Sequence, residues 1–434
     1  MIFNLNSDEP MGESTQVAYY ELDKALDEEI NDFENFIQNT DYAYELEENM
    51  KNGVKKGIIA YLKKKGIVFD ESDDRSIWKA LSKLYKSHGF NQEKLDKVRR
   101  VVKDKWIING TWSTDIDNRK NMYDLCMVLN MNIDETKKFF SKYFYTLPFN
   151  YKNRIDAIYY YCIYNKKNCS ETRELIESAG KQNDDVIDDK NTFEIERQIL
   201  DIDNDDDFLI YVKKYCFSEW KQIRTSRMVI KELYEDSIEC YKMSEHYQDY
   251  LKMILEEEIE KGKITTTDQE EKRKEQLKRR KIKMKQIIDD IYGFDIQKQK
   301  QEKGFSISKG IPIKSFIESI PKYMEISKIL NTDEKEVSYD VIRKAIIIFN
   351  FYSFYLNIEN EELYRDEEKI KEDLHDFVVE TNERLERIGY NPFYVKSPFD
   401  WLVLYCANTP EPLWTFKQFF LERYLDSDDN EKKK

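Results

Sequence analysis

Cations at helical spacing are the side chains of this chain best suited to chemistry. Arg99, Arg100, Lys103 and Lys105 crowd the segment KVRRVVKDKWII, and on a helix such residues would face the phosphates or base edges of a duplex. The same pattern also describes an ordinary solvated helix surface. A second cationic run, Lys272–Lys285, sets nine Lys/Arg against one acid, Glu275. It contains Lys272, Arg273, Lys274, Arg279 and Arg280, and could meet nucleic acid or an acidic patch of the same chain. A formal charge of −15 over 434 residues favours an intramolecular or solvated role for that run. Residues 51–105 reverse the sign of the whole, with 16 Lys/Arg against 7 Asp/Glu, so one face could attract a duplex while the rest repels it.

Other candidate chemistry is sparse. Asp156 and Asp400 occupy matching places in RIDAI and PFDWL, where a carboxylate in the first helical turn is stabilised by free backbone N–H groups. The acids of Lys181–Asp207 come as Asp-Asp pairs without the Gly-centred spacing of a calcium loop. His88, His246 and His375 lie far apart, and the six cysteines form no CxxC pair. Cysteines within apolar helical patterns read as small buried hydrophobes in a reducing compartment. No Gly-rich phosphate loop, GxSxG elbow or HExxH occurs. The expectation is therefore no catalytic residue, no metal, no cofactor and no small-molecule substrate. No run of about 18 apolar residues is present, and MIFNLNSDEPMGES lacks the regions of a signal peptide. A cytoplasmic location away from membranes is expected.

The elements that would carry these residues are helical. Twelve glycines and eight prolines are few for this length, which favours long helices and short connectors. In Trp106–Cys162, Leu125, Val128, Leu129, Ile133, Phe139 and Phe140 recur at helical spacing, with Asn132 and Asp134 as cap candidates. A weaker copy starts at Lys328 and resumes at Val378. Ile108-Asn109 pairs with Leu330-Asn331, Asp134-Glu135-Thr136 with Val379-Glu380-Thr381, and Pro148-Phe149 with Pro392-Phe393. Arg154–Ile158 pairs with Pro398–Leu402, and Tyr161-Cys162 with Tyr405-Cys406.

The expected fold is all-α: two related multi-helix units joined by a long central helical region. The divisions are an acidic helical region over 1–50, a first unit over 51–180 and an acidic linker over 181–207. A central long-helix region follows over 208–305, then a second unit over 306–425 and a charged tail over 426–434. Tyr159, Tyr160 and Tyr161 read as core rather than as a base-stacking platform.

Ile77, Leu81 and Leu84, a break at Gly89, then Asn91, Leu95 and Val98 spell a helix, a turn and a second helix. Over Ile77–Phe140, SHGFNQEKLDKV followed by NRKNMYDLCMVLNMNIDET resembles a degenerate repressor-type (Xre-like) helix-turn-helix domain. The resemblance implies a reading helix near Val101–Ile108, from which Arg99, Arg100, Lys103 and Lys105 would reach DNA. Asp96 stands where that family has a small residue, and the reading region is about two residues short. In the second unit, Lys322, Tyr323 and Lys328 would take the reading positions, crowded by Glu318, Glu325, Glu334 and Glu336. The "ET…PF…DAIYYYC" and "GY.P.Y…PFDWL.LYC" pieces are similar to those of proteins from low-GC Gram-positive bacteria and their mobile elements. Together these imply a non-enzymatic regulatory or interaction protein with double-stranded DNA and a protein as partners. The alternative is an antiphage or abortive-infection effector with a metal-dependent nuclease site built from scattered Asp, Glu and Lys.

Overall fold

Apolar residues three and four apart bury one side of a helix, and that periodicity becomes helix throughout the described chain. The computed structural model describes residues 53–110, 116–180, 186–187, 190–279, 281–292, 321, 325–326, 328–329, 338–360, 366–394 and 397–417. Among these there is no β-strand, and pairing of that kind is limited to an isolated parallel bridge between Asn153 and Phe217. The all-α expectation holds. The acidic region of 1–50, the reading positions Lys322 and Tyr323, and the tail lie outside the described residues.

Two apolar cores divide the chain. The first gathers helix 53–64, Asp74–Ser87, Gln92–Arg99, Ile116–Val128, Ile133–Phe139, Arg154–Tyr164, Cys169–Ala179, Thr192–Leu200 and Asp205–Tyr215. The second gathers Glu219–Met243, Glu245–Glu260, Thr267–Lys278, Met284–Tyr292, Tyr339–Asn360, Glu367–Arg387 and Pro398–Ala407. Gly57 lets the 53–64 helix lie against an aromatic ridge, since a Cβ there would stand 2.8 Å from the Tyr143 ring.

Sequence-level caps are where local chemistry requires them. Asn91 accepts from the Lys94 N–H, and Asn132 forms a capping box with Glu135. Cys169–Ala179 is capped by Asn168, again boxed with Glu171. Tyr159, Tyr160 and Tyr161 are buried in the first core.

Three expectations about the chain's middle are corrected. Residues 181–207 are not a simple linker: Thr192–Leu200 is a helix whose Ile195 and Ile199 enter the first core. Asn191 and Glu194 cap it reciprocally, so one of the acids that suggested a linker marks a helix start. Asp205 opens a further helix carrying Phe208 and Val212 into the same core, which extends the first unit beyond residue 180. The stretch 208–260 is then three helices rather than one. The chain is extended at Cys216 and Ser218, and Ser244 ends one helix and caps the next.

Tyr339–Asn360 is apolar on every side, as expected of a helix enclosed by others. Tyr339–Ile358 is long and apolar enough to cross a bilayer, yet 61% of that window is buried within the fold. It packs along Glu219–Met243 and carries Arg343 and Lys344, paired with Asp400 and Asp340. It is the core helix of the second unit.

Glu135 links the first core's periphery through its capping box and an ion pair with Lys64. That Lys64 hydrogen bond, aided by the Asn132 N–H, holds the Glu135 carboxyl below its usual pKa. A carboxyl depressed in the fold adds stability above its unfolded pKa and loses it as pH falls through the folded value. Glu135→Gln should therefore lower unfolding free energy at pH 7 by no more than about 1 kcal/mol. Urea titrations should show the difference closing at acid pH; a deficit that stays constant with pH would refute the electrostatic assignment.

Candidate functional site

The most highly organised polar group is a buried clamp that occurs twice. Arg119, on Ile116–Val128, donates from Nε and Nη2 to Asp156 at 2.6–3.0 Å, and from Nη2 to the Leu147 carbonyl at 2.9 Å. The Asn150 N–H donates to the same carboxylate at 2.8 Å. In the second unit Arg343, on Tyr339–Asn360, donates from Nη1 and Nη2 to Asp400 at 2.7 Å. It also reaches the Asn391 and Pro392 carbonyls, and the Tyr394 N–H completes the carboxylate. Asp156 with Asp400, Leu147 with Asn391, and Asn150 with Tyr394 follow the sequence repeat. The matched positions therefore make matched bonds. Thr136 and Thr381 extend the correspondence: Thr136 sits beside Cys126, and Asn350 donates to Thr381 at 2.6 Å.

All four charged side chains are nearly water-free, with Arg119 2% and Asp156 0% exposed. Burial works against the Arg119 and Arg343 cations, but the facing carboxylates more than offset it and hold both guanidinium pKa values above the ordinary one. Asp156 is in the first turn of its helix, capped by Asn153, as the sequence implied. Its arginine partner was not foreseen.

The two clamps meet. Asn391 donates its side-chain N–H to the Leu147 carbonyl at 2.8 Å, the acceptor Arg119 already uses. Gln222 bridges further, donating to the Ile388 carbonyl at 3.2 Å and to that of Gly389 while accepting from Asn153 at 3.0 Å. Gly389 is required there: its φ is +76°, and a Cβ would stand 3.2 Å from Gln222 Nε2 and 3.3 Å from the Phe217 ring. The Phe217 N–H donates to the Lys152 carbonyl at 2.7 Å and the Phe217 carbonyl accepts from the Arg154 N–H at 3.0 Å, where the chain enters the second unit.

Most of the remaining buried ionisable groups also find partners within the fold, although Tyr85 Oη and Arg154 Nε form no hydrogen bond. Asp124 binds Arg173 and Tyr159, although burial still pushes its carboxyl upward in pKa. Arg154 has no carboxylate; it donates to the Ala179, Gly180 and Cys216 carbonyls. These are the ends of two helices, whose dipoles supply the negative charge. Five of the six free cysteines are buried, and burial pushes the Cys162 and Cys216 thiols up to about 12. Such thiols are poor nucleophiles at neutral pH. Among the described residues, no group of three or more His, Cys, Asp or Glu side chains could hold a metal ion.

The two cationic groups differ. Arg99, Arg100 and Lys105 are exposed and Lys103 is half-buried. Arg99, Arg100 and Lys103 form no ion pair among the described residues, whereas Lys97 beside them pairs with Glu93. In the second group Lys272 pairs with Asp268, Arg273 grips Glu258 with two 2.8 Å bonds, and Arg279 approaches Glu275. Lys274 is exposed, and Arg280 lies outside the described residues. No geometry gathers the two groups into one site.

Asp74–Ser87, the turn at Gly89 (φ +83°) and Gln92–Arg99 do form helix, turn and helix. The expected reading helix is not separate. Arg100–Ile108 follows Arg99 without a turn, wound as a π-helix with Val102, Trp106 and Ile107 buried. No family model, curated protein or solved structure matches the chain.

Removing one partner of a buried pair strands the other charge. Asp156→Ala and Asp400→Ala should each lower unfolding free energy by about 3–5 kcal/mol in urea titrations. Losses below about 1 kcal/mol would contradict a structural role for the clamps. Native thiol labelling should modify Cys240, the half-buried one, well before the other five; rapid reaction of Cys126 or Cys169 would contradict their burial.

Proposed function

We propose that the chain is a non-enzymatic regulatory or interaction protein of the cytoplasm, whose first unit meets double-stranded DNA through Arg99, Arg100, Lys103 and Lys105. The observation that carries this reading is the contrast between the two cationic groups. Arg99 and Arg100 extend into solvent without a carboxylate. In the Lys272–Lys285 run, Lys272, Arg273 and Arg279 are already met by Asp268, Glu258 and Glu275. A cation answered within the fold gains little from a phosphate, whereas an unanswered one releases the condensed counterions of DNA when it binds. The clamp arginines and aspartates answer one another and five of the six cysteines are buried, so their chemistry supports structure rather than turnover.

Unbroken winding from Gln92 to Ile108 favours phosphate contact over base reading by a separately docked helix. Binding should therefore be strongly salt-dependent and weakly sequence-dependent. Arg99→Glu with Arg100→Glu should weaken duplex binding roughly tenfold or more at 50 mM salt. It should also make the log–log salt dependence shallower by about 2. Fluorescence anisotropy with two unrelated 30-base-pair duplexes reads both quantities. Absence of wild-type binding to either duplex at 50 mM salt would overturn the reading.

A further inference from the structure

We infer that the outward ridge of Asp74–Ser87, formed by Lys79, Lys83 and Lys86, is the main phosphate-binding surface of the first unit and grips duplex DNA without regard to sequence. The inference rests on the DNA reading above and moves its centre to residues outside the expected reading helix. Ile77, Ala80, Leu81 and Tyr85 define the buried face of this helix. At about 100° per residue, Lys79, Lys83, Lys86 and Arg75 fall within about 80° of arc directly opposite. All four are exposed. None forms an ion pair among the described residues, although Lys55, Lys63 and Lys64 nearby are paired with Asp74, Glu71 and Glu135.

Charge along the ridge is graded. Arg75 lies at the helix start, where Asp73 caps its backbone N–H and Asp70 is close by in the preceding turn. The three lysines lie beyond those acids. From Lys79 to Lys83 and from Lys83 to Lys86 the rise along the axis is about 6 and about 4.5 Å. A DNA strand carries a phosphate about every 3.4 Å of axis, so flexible lysines at these intervals can address different phosphates of one strand.

The residue types select the mode of binding. Lysine is a flexible point charge suited to phosphate, while base readout uses the bidentate donors of Arg, Asn or Gln. The ridge offers no Asn or Gln, and its lone arginine is at the acidic end. Double-stranded DNA read through its backbone is the matching ligand.

The test compares Lys79→Glu/Lys83→Glu/Lys86→Glu with Arg99→Glu/Arg100→Glu and with a charge-matched control, Lys252→Glu/Lys263→Glu/Lys278→Glu. Full-length protein is titrated against two unrelated 30-base-pair duplexes from 50 to 200 mM salt. The ridge variant should bind both duplexes at least tenfold more weakly, with a log–log slope shallower by about 3. The control should keep its slope, and thermal melts should coincide because all the altered lysines are exposed. Lys79→Gln/Lys83→Gln/Lys86→Gln should fall between wild type and the Glu variant. Wild-type binding with an unchanged ridge variant, or equal losses in ridge and control, overturns the ridge while leaving DNA binding by the first unit intact. No wild-type binding removes both.

Discussion

Two arginine–aspartate pairs taken out of water set the terms on which the rest of this fold is built. An ion pair in so apolar a setting is tolerated only when its remaining donors and acceptors are answered as well. Each clamp therefore recruits backbone: a carbonyl at Leu147 or Asn391 and an N–H at Asn150 or Tyr394. Those demands fix the loops before Arg154–Tyr164 and Pro398–Ala407, and with them the starts of both helices. Because Asn391 also bonds the Leu147 carbonyl, neither loop can shift without disturbing the other clamp. The two units are thus coupled by polar geometry as well as by the chain running through Phe217 and Ser218.

Half of the clamp was legible in the sequence. The aspartates stand in a preserved phrase, with Pro-Phe before them and Tyr-Cys after, and their place in the first helical turn follows from local pattern. The arginines escaped because the spacing is not preserved: 37 residues separate Arg119 from Asp156, but 57 separate Arg343 from Asp400. The charged stretch NIENEELYRDEEKIKEDLHDF falls in that interval. A signal was available in the Arg-Lys pair that begins both partners, Arg119-Lys120 and Arg343-Lys344. Its meaning depends on which helix face is buried, and that is settled by packing against distant segments.

The same limit explains the acidic stretch after residue 181. Composition averages the two faces of a helix, so DKNTFEIERQILDIDNDDD reads as a solvated run. Yet Ile195 and Ile199 lie one turn apart and suffice to dock it, and Asn191 with Glu194 is a helix-start signature. In Lys272–Lys285, too, net charge was legible while its pairing was not. Glu258 belongs to a different helix from Arg273, and only tertiary structure makes them neighbours.

The π-wound segment shows how the core decides where cations point. Val98, Val102 and Trp106 are all buried and recur every four residues. In an α-helix each such step drifts by about 40°, which would carry Trp106 away from the side that Val98 enters. Winding with i→i+5 bonds places more residues in each turn and cancels much of that drift, keeping all three side chains on the core. Arg99 and Arg100 lie at the change of winding, so their direction is set by what Val98 and Val102 require on the opposite side. On Asp74–Ser87 no such compromise arises. Its apolar residues follow α-helical spacing, and its lysines fall straight opposite them. The outward charge of the first unit is thereby a consequence of how its apolar residues are spaced.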